Sequence, residues 1–363
     1  MKVLLVTNQV KTYAWGFRNM IEMLTSLGHE VLWAANFSRF VGDAEEIPCK
    51  RVQIPICSNP MKLANLQALS TLKRVIKEEN IDALHCSTPI GGMLGRIAAM
   101  QTGISKVIYA AHGFLFYRGA PLLNRTVYKW QEQLMAHWTD VLITITEEDL
   151  QAAKQFKLRS GKAPYLVHGA GVEIGKTICV DKKEKRKELN IPEDAFVVLS
   201  AGFLNKNKNN RVLIEAVAKL ADDHVYYLIC GEGAQRAALE ALAAKRGVGA
   251  NIRFLGYRTD LSEIMACSDL FAMPSFREGV PRVLLEAMDL GLPCIGADTR
   301  GIRELLPQQM LRHPKEVDGF ADVIWKVMTH SVSWDTAAER EKAKQYGNEQ
   351  VRRELLAVYQ KEL

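Results

Sequence analysis

The sequence contains no long hydrophobic run, and this absence excludes membrane-spanning proteins from the expected classes. No apolar stretch in its 363 residues reaches the roughly 18 positions that a transmembrane helix needs. The apolar stretch near the start, residues 3–6, is too short for a secretory signal and predicts a first β-strand. The composition is globular, with 48% hydrophobic and 24% charged residues. A disordered, collagen-like or coiled-coil chain is therefore excluded, and the length predicts about two domains.

Paired cysteines are also lacking. The seven cysteines are scattered, and none forms a Cys-x-x-Cys pair, so zinc ribbons and thioredoxin-type redox centres are not expected. Scattered thiols in a chain without a signal sequence predict the reducing environment of the cytoplasm. The first predicted strand is not followed by Gly-x-Gly-x-x-Gly, which argues against a dinucleotide dehydrogenase.

Excess positive charge is confined to the first half of the chain. Residues 1–180 hold 20 Lys and Arg against 14 Asp and Glu, whereas residues 181–363 balance at 27 against 27. Such a bias fits an anionic partner, for example a phosphorylated substrate or a membrane surface, and it equally fits a slightly unbalanced solvated surface. No dense stripe of Lys and Arg is present, so nucleic acid is not expected as a partner.

Short apolar runs alternate with amphipathic stretches in two separate series. The first series predicts strands at 3–7, 31–35, 83–86, 106–111 and 141–146, with helices at 17–27, 66–79, 92–102, 123–137 and 147–157 between and after them. Residues 161–195 have linker composition, because they contain a Gly-Ala-Gly turn, a charge run and a proline. A second series follows over 196–296, and residues 336–363 predict a helical tail. This pattern predicts an α/β protein with two Rossmann-like domains and a ligand site in the cleft between them.

The segment 274–288 carries the most informative chemistry. It predicts a strand end, a loop with Glu278, and a helix that starts near Pro281 and presents free N–H groups to an anion. Glu286 falls about one and a half turns into that helix. Carboxylates repel phosphate, so this pair suits ribose and sugar hydroxyls. From the spacing alone, one loop acid and one helix acid on an ordinary surface remain an open alternative.

These residues also carry a family resemblance. Glu278 and Glu286 match the Glu-x7-Glu element of retaining GT-B glycosyltransferases, the family-4-like group that uses nucleotide sugars. The resemblance covers nearly the whole chain and is most specific over 196–306. Other resembling segments are 111–114, 231–233, 254–257, 261–269, 291–295 and 301–304, while 88–92 and 116–124 resemble capsule and exopolysaccharide members in particular.

The resemblance implies a domain plan. A GT-B protein has two facing Rossmann-like domains with an interdomain cleft and a C-terminal helix that packs back on the first domain. Applied to this sequence, the acceptor domain covers 1–170 together with a helix at about 345–363, and the nucleotide-sugar donor domain covers 171–344.

Donor-site roles are implied position by position. Glu286 is expected to bind the donor ribose, Glu278 the hydroxyls and developing charge of the transferred sugar, and Lys208 the diphosphate. The remaining donor-binding residues expected are Lys206, Tyr257, Arg258, Gly279 and Arg282, where Tyr257 and Arg258 meet the nucleobase through their main chain. Where family members commonly carry a diphosphate-binding arginine, this sequence has Phe203, and Lys206 and Arg282 are the candidate substitutes.

The first half supplies weaker assignments. Gly16, in a loop after the first strand, is expected to let backbone approach the donor phosphates, although the usual double glycine is absent. His112 matches the family's His-Gly element, and we expect it to contact the donor sugar and to join Glu278 and Lys208 in catalysis. The acceptor-binding residues expected are Arg18, His85, Tyr117 and Arg118.

The function implied is retaining transfer of a sugar, from a UDP-sugar by family habit, to a polyprenyl-diphosphate-linked saccharide during bacterial surface polysaccharide or glycan synthesis. No Asp-x-Asp element in a metal context is present, so we expect neither a metal nor another cofactor. The helix with Trp130 and Trp138 either touches lipid headgroups on the inner membrane face or supplies core aromatics. A non-catalytic nucleotide-sugar-binding protein and a sugar-nucleotide 2-epimerase are the alternatives.

Overall fold

The computed structural model describes residues 1–10, 15–41, 48–169 and 171–363, and the chain forms two compact units. Unit 1 comprises Met1–Gly171 together with Glu349–Leu363, and unit 2 comprises Val172–Asn348. Each unit has a parallel β-sheet with α-helices between most successive strands. The predicted class, α/β with two Rossmann-like domains, is therefore confirmed.

Unit 1 is built on seven strands. Its elements in chain order are β1 (Lys2–Gln9), α1 (Trp15–Ser26), β2 (Glu30–Asn36), β3 (Lys50–Gln53), α2 (Ala64–Glu78), β4 (Ala83–Ser87), α3 (Pro89–Thr102), β5 (Lys106–Ala111), a π-helical turn (Asn124–Tyr128), α4 (Lys129–Ala136), β6 (Val141–Thr144), α5 (Glu147–Ala153) and β7 (Tyr165–Leu166). Local signals fix several ends: Pro89 opens α3, Gly103 closes it with a left-handed conformation, and the Thr146 hydroxyl caps α5 by accepting from the Asp149 N–H.

The sheet of unit 1 has the order β3-β2-β1-β4-β5-β6-β7, with all strands parallel. Alternate residues of β1 feed different core layers, Leu4 and Val6 on one face and Val3 and Leu5 on the other. Burial on both faces explains why this strand is an unbroken apolar run in the sequence. The strand order reverses direction between β1 and β4, and ligands of open α/β sheets bind at the carboxyl ends of strands at such a point.

Unit 2 repeats this plan with six strands. Its elements are α6 (Lys182–Glu188), β8 (Phe196–Ala201), α7 (Asn210–Leu220), β9 (Val225–Cys230), α8 (Arg236–Lys245), β10 (Ile252–Gly256), α9 (Leu261–Ala266), β11 (Leu270–Met273), α10 (Arg282–Asp289), β12 (Cys294–Ala297), α11 (Ile302–Leu305), a 3-10 turn (Gln308–Met310), β13 (Leu311–Arg312), α12 (Val317–Met328) and α13 (Thr336–Lys344); α14 (Asn348–Glu362) then leads into the last segment of unit 1. The sheet order is β10-β9-β8-β11-β12-β13, again parallel, so the direction reverses between β8 and β11.

Two sequence-based predictions are corrected here. The charge run at 181–188, expected to be linker, forms α6, because Asp181 caps its N-terminus and the buried Arg186 donates to the carbonyls of Cys267, Glu193 and Ala195. These tertiary contacts stabilise a helix that no apolar periodicity announces. The single helix expected at 123–137 instead begins with the π-helical turn before α4.

The segment Glu349–Leu363 is held in unit 1 by buried polar contacts. The Glu362 carboxylate is completely buried and lies 2.8 Å from Lys106 Nζ and 2.9 Å from Lys162 Nζ, and it accepts a hydrogen bond from the Tyr165 hydroxyl. These partners hold the pKa of Glu362 at about 2 despite the opposing effect of burial. Tyr359 packs in the core on the same face of the sheet.

Replacing Glu362 by glutamine is expected to lower the free energy of unfolding by about 2 kcal/mol at neutral pH, because two ammonium groups lose their carboxylate. The folded pKa lies below the ordinary 4.5, so this stabilisation is present above pH 4.5 and is lost as the pH falls toward about 2. Urea unfolding of both proteins across that range measures the difference. The exposed Glu349→Gln in the same helix is the control, and a wild-type advantage that persists unchanged at low pH would contradict the assignment.

Candidate active site

The donor site predicted from sequence falls at the strand-order reversal of unit 2. Because β8 lies beside β11, the loop 202–209 after β8 runs next to the loop 274–281 after β11. Hydrogen bonds join the two loops: the Phe276 N–H donates to the Asn207 carbonyl at 2.9 Å, and the Asn207 amide donates to the Arg277 carbonyl at 2.9 Å. The Asn209 amide donates to the Pro274 carbonyl at 3.1 Å. The two loops therefore form one connected structure.

Glycines allow a third loop to approach. Gly231 and Gly233 follow β9 with φ angles of 136° and 157°, which side-chain-bearing residues rarely adopt. A Cβ atom on Gly231 would lie 2.0 Å from the Gly202 carbonyl oxygen, and one on Gly233 would lie 2.3 Å from the Leu204 carbonyl oxygen. Main chain thus packs directly on main chain here. The close contact of these backbones explains why glycine is required at both positions of the Gly-x-Gly turn identified in the sequence.

Lys208 and Glu278 meet between the two joined loops. The Lys208 Nζ lies 2.9 Å from the Glu278 Oε1, and the two side chains are only 21% and 14% exposed. The structure therefore brings together two of the three residues predicted to act in catalysis. A partly desolvated ammonium beside a carboxylate offers one group for a diphosphate and another for sugar hydroxyls.

Glu286 lies in the second turn of α10. Pro281 occupies the N-cap position of this helix and has an extended backbone conformation. Burial raises the pKa of the half-buried Glu286 carboxyl, while Arg282 and Lys176 oppose that shift. A carboxyl in this setting accepts hydrogen bonds from hydroxyls at low cost, because part of its desolvation has already occurred on folding. Arg282, the first residue of α10, is exposed.

The remaining donor-site residues have different surroundings. Phe203 and Tyr257 are exposed, at 70% and 78%, and Lys206 is exposed without an ion-pair partner among the residues that the structure describes. The Arg258 side chain is engaged with Asp260 and Glu188, and both contacts raise its pKa. Only the main chain of Arg258 is thus free to serve the role expected of it.

Several residues that shape the site escaped sequence analysis. Arg300 is buried and its Nε donates to the Glu278 carbonyl at 3.3 Å. Gly301 has φ 79°, and a Cβ atom there would lie 1.6 Å from the Gly279 carbonyl oxygen. The buried Ser275 hydroxyl makes no hydrogen bond to the described part of the chain. Gly301 lies in a segment that resembles the family, but the resemblance does not predict its contact with Gly279. Asparagines alternate with Lys206 and Lys208 in the loop 202–209, but this pattern does not predict their hydrogen bonds to the loop 274–281.

In unit 1 the predicted residues are dispersed around the strand ends. Gly16 lies in the first turn of α1 and not in a loop, which corrects that prediction; residues 11–14 before it lie outside the described residues. His112 is exposed directly after β5. Arg18 is exposed and pairs with Glu22 at 2.9 Å. Tyr117 is half-buried, and the exposed Arg118 donates its main-chain N–H to Glu148 at 2.7 Å.

His85 requires a correction. It is buried in β4, and its Nε2 lies 3.0 Å from the Tyr359 hydroxyl in α14. Burial lowers the pKa of His85 to about 3, helped by the nearby His112, so the ring is neutral at physiological pH. Its partner and its burial assign His85 to fixing the last helix of unit 1, and direct contact with an acceptor is not supported.

Comparison with known proteins places these features in a family. The model of glycosyl transferases group 1 matches residues 181–350, and the model of glycosyltransferase family 4 matches residues 15–168. EpsD of Bacillus subtilis (strain 168), which is named as a glycosyltransferase, is 36% identical over 287 residues, which are 77% of this chain and 74% of its own length. A UDP-Gal:alpha-D-GlcNAc-diphosphoundecaprenol alpha-1,3-galactosyltransferase of Escherichia coli is 28% identical over 76% of this chain and 74% of its own length.

Solved structures share the fold. HepE of Anabaena in complex with UDP-glucose superposes with a TM-score of 0.78 at 21% identity, covering 100% of both chains. WaaG, a glycosyltransferase involved in lipopolysaccharide biosynthesis, gives 0.71 at 20% identity over 99% of each chain. With both halves matched by family models and with a relative 36% identical, the chain belongs to the family-4, group-1 glycosyltransferases with the GT-B fold.

Proposed function

We propose that this glycosyltransferase moves a sugar from a UDP-sugar to a lipid-linked, diphosphate-bearing saccharide, with retention of anomeric configuration. The observation that carries the proposal is the Lys208–Glu278 pair at the strand-order reversal of unit 2. The donor named for the E. coli relative and the UDP-glucose named for the HepE structure support UDP. The diphosphoundecaprenol in the name of that relative supports the acceptor class.

In the proposed mechanism the protein positions the reactants and stabilises the leaving group. Lys208 balances the charge that builds on the UDP diphosphate as the bond from the anomeric carbon to the phosphate oxygen breaks. Glu278 accepts hydrogen bonds from sugar hydroxyls and stabilises the positive charge on the ring. The acceptor hydroxyl attacks from the face that UDP leaves and forms the new glycosidic bond, while its proton passes to a phosphate oxygen of UDP.

A thermal-shift panel with UDP, GDP, ADP and NAD tests the donor class. UDP at about 100 times its dissociation constant is expected to add about 2.7 kcal/mol to the stability of the folded protein. A shift with NAD alone would contradict the proposal.

Incubation with UDP-sugars and lipid-linked acceptors then measures transfer, and the anomeric configuration of the product tests retention. Because lysine supplies the positive charge, we expect a chelator to leave the transfer rate unchanged.

Unit 1 exposes apolar side chains in two segments, 61–66 and 122–134, that suit a membrane surface. The exposed members are Met61, Leu63, Leu66, Leu122, Leu123, Val127, Trp130 and Leu134. Arg125 is exposed among them, whereas Tyr128 and Trp138 are half-buried. Exposed apolar and basic side chains together favour an anionic lipid surface. Among the described residues, no helix has the length and apolar character to cross a bilayer.

Replacing Trp130 by serine is expected to weaken binding to vesicles that contain phosphatidylglycerol by about tenfold, because a large interfacial side chain is removed. Co-sedimentation with the vesicles measures the change. Trp325→Ser is the matched control, because Trp325 is an exposed tryptophan on α12 of unit 2. Equal loss of binding in both variants would show that segment 122–134 has no special part in membrane contact.

A further inference from the structure

Unit 1 contains a cavity of about 350 Å³ that none of the predicted site residues lines. Its walls come from the carboxyl end of β1 (Asn8), the start of α3 (Ile90), the loop after β5 (Phe114), the π-helical turn (Tyr128) and α4 (Gln131). Its volume is within the usual range for small-molecule sites. The cavity therefore occupies the edge of the sheet where α/β proteins bind ligands.

The carboxylate in the cavity wall, that of Glu132, is held by an ion pair with Arg96, which lies behind the wall and does not itself line the cavity. Arg96 is 1% exposed and contacts both carboxylate oxygens of Glu132, at 2.8 and 3.1 Å. The Arg96 guanidinium also stacks 3.8 Å from the centroid of the Tyr109 ring. Bidentate pairing and stacking hold the carboxylate in one orientation, with lone pairs left over for a ligand. Neither Lys nor Arg lines the cavity among the described residues, so it does not select an anionic group.

The cavity walls combine aromatic side chains with polar groups that make no hydrogen bond to the described part of the chain. Tyr128 contributes a half-buried ring, whereas Tyr109 and Phe114 line the cavity but are nearly buried, the first against Arg96 and the second stacked on Phe116. The Ser58 hydroxyl, Tyr128 hydroxyl and Gln131 amide make no hydrogen bond to other described residues. Aromatic faces pack against the C–H faces of sugar rings, while hydroxyls, amides and a carboxylate bind sugar hydroxyls. A π-helical turn is frequent at functional sites and here carries Tyr128 into the wall.

We infer that this cavity binds a neutral sugar ring of the acceptor, an inference that rests on the proposed function. The cavity is bordered by the two apolar segments: Pro60 of its wall precedes the exposed Met61, and Tyr128 lies between the exposed Val127 and Trp130. A sugar separated from an isoprenoid by one diphosphate would lie next to where these segments meet lipid. The same placement makes Tyr128 and Gln131 determinants of acceptor specificity.

Saturation-transfer NMR with four neutral probes, the methyl α-glycosides of glucose, galactose, N-acetylglucosamine and N-acetylgalactosamine, tests this inference. At least one probe is expected to bind the wild-type protein, and Gln131→Ala and Tyr128→Leu are each expected to weaken that binding by about tenfold. Gln133→Ala, two positions along α4 and outside the cavity wall, is the matched control and should bind like wild type. Melting without ligand verifies that each variant is folded.

The UDP thermal shift distinguishes failure of the acceptor cavity from failure of the proposed function. If every variant keeps the UDP shift while no probe binds wild type, or while Gln131→Ala and Tyr128→Leu bind as tightly as wild type, the acceptor cavity is refuted and the proposed function stands. If UDP shifts none of the proteins, the proposed donor class itself fails. Loss of probe binding in Gln133→Ala to the same extent as in Gln131→Ala would also refute the assignment of this cavity.

Discussion

Glu278→Gln is expected to lower the rate constant kcat for sugar transfer by about 100- to 1,000-fold, because it removes the charge that we propose stabilises the developing positive ring. The Lys208–Glu278 distance of 2.9 Å makes the two residues one electrostatic unit. Lys208→Met should therefore cause a loss of similar size, and the double variant should lose less than the product of the two single effects. Steady-state kinetics with the UDP-sugar and acceptor identified by the transfer assay gives all three values.

Glu286→Gln is the comparison variant for that experiment. We expect it to raise the donor KM by about tenfold with little change in kcat, because its proposed contact is with a ribose that does not react. The thermal shift with UDP should shrink in Glu286→Gln and persist in Glu278→Gln. Near-normal turnover in Glu278→Gln would refute the role proposed for that carboxylate, whatever the behaviour of Glu286.

Gly301→Ala is expected to disrupt the loop 274–281, which carries Glu278. A Cβ atom at Gly301 would lie 1.6 Å from the Gly279 carbonyl oxygen, one residue after Glu278, so the loop 274–281 has to move. The left-handed φ of 79° adds a conformational cost of its own. We expect the UDP thermal shift to disappear and the free energy of unfolding to fall by more than about 2 kcal/mol.

Gly247→Ala distinguishes the effect of a steric clash at the added Cβ atom from the conformational cost of a positive φ. Gly247 has φ 75° in the same unit, but no atom lies within 4 Å of the Cβ position. Alanine there should cost about 1 kcal/mol and leave the UDP shift intact. Equal effects of the two substitutions on UDP binding would show that contact between Gly301 and Gly279 does not shape the site.

Local pattern determined the parts of the fold that sequence analysis predicted. Strands such as β1 are buried on both faces, so their apolar runs are visible in the sequence, and the helices between them keep one apolar face. The Glu-x7-Glu spacing likewise lies within one strand–loop–helix unit. The helix α6 was missed because its stability comes from Arg186 and its contacts with Cys267, Glu193 and Ala195, and local periodicity carries no trace of such contacts.

Among the site residues, some were predicted from the family resemblance, whereas the role of others depends on contacts between distant parts of the chain. Lys208 and Glu278 lie 70 positions apart, and family likeness, not local pattern, identified them before the sheet order brought their loops together. His85 shows the opposite case. A histidine near the end of a strand fits both a core position and a ligand contact, and only Tyr359, 274 residues later, decides between them. The cavity lined by Tyr128 and Gln131 depends on five separate segments, which no single motif encodes.

The division of unit 1 into two stretches of chain affects the order in which the protein folds during synthesis. Unit 2 is continuous, so all of its residues leave the ribosome before Glu349–Leu363 do. Until then, the face of the first sheet that α1 covers lacks the further apolar side chains of Val351, Val358 and Tyr359. Domains usually form in order from the N-terminus during translation. Here the domain that starts first is completed last, after the whole of unit 2 has been synthesised.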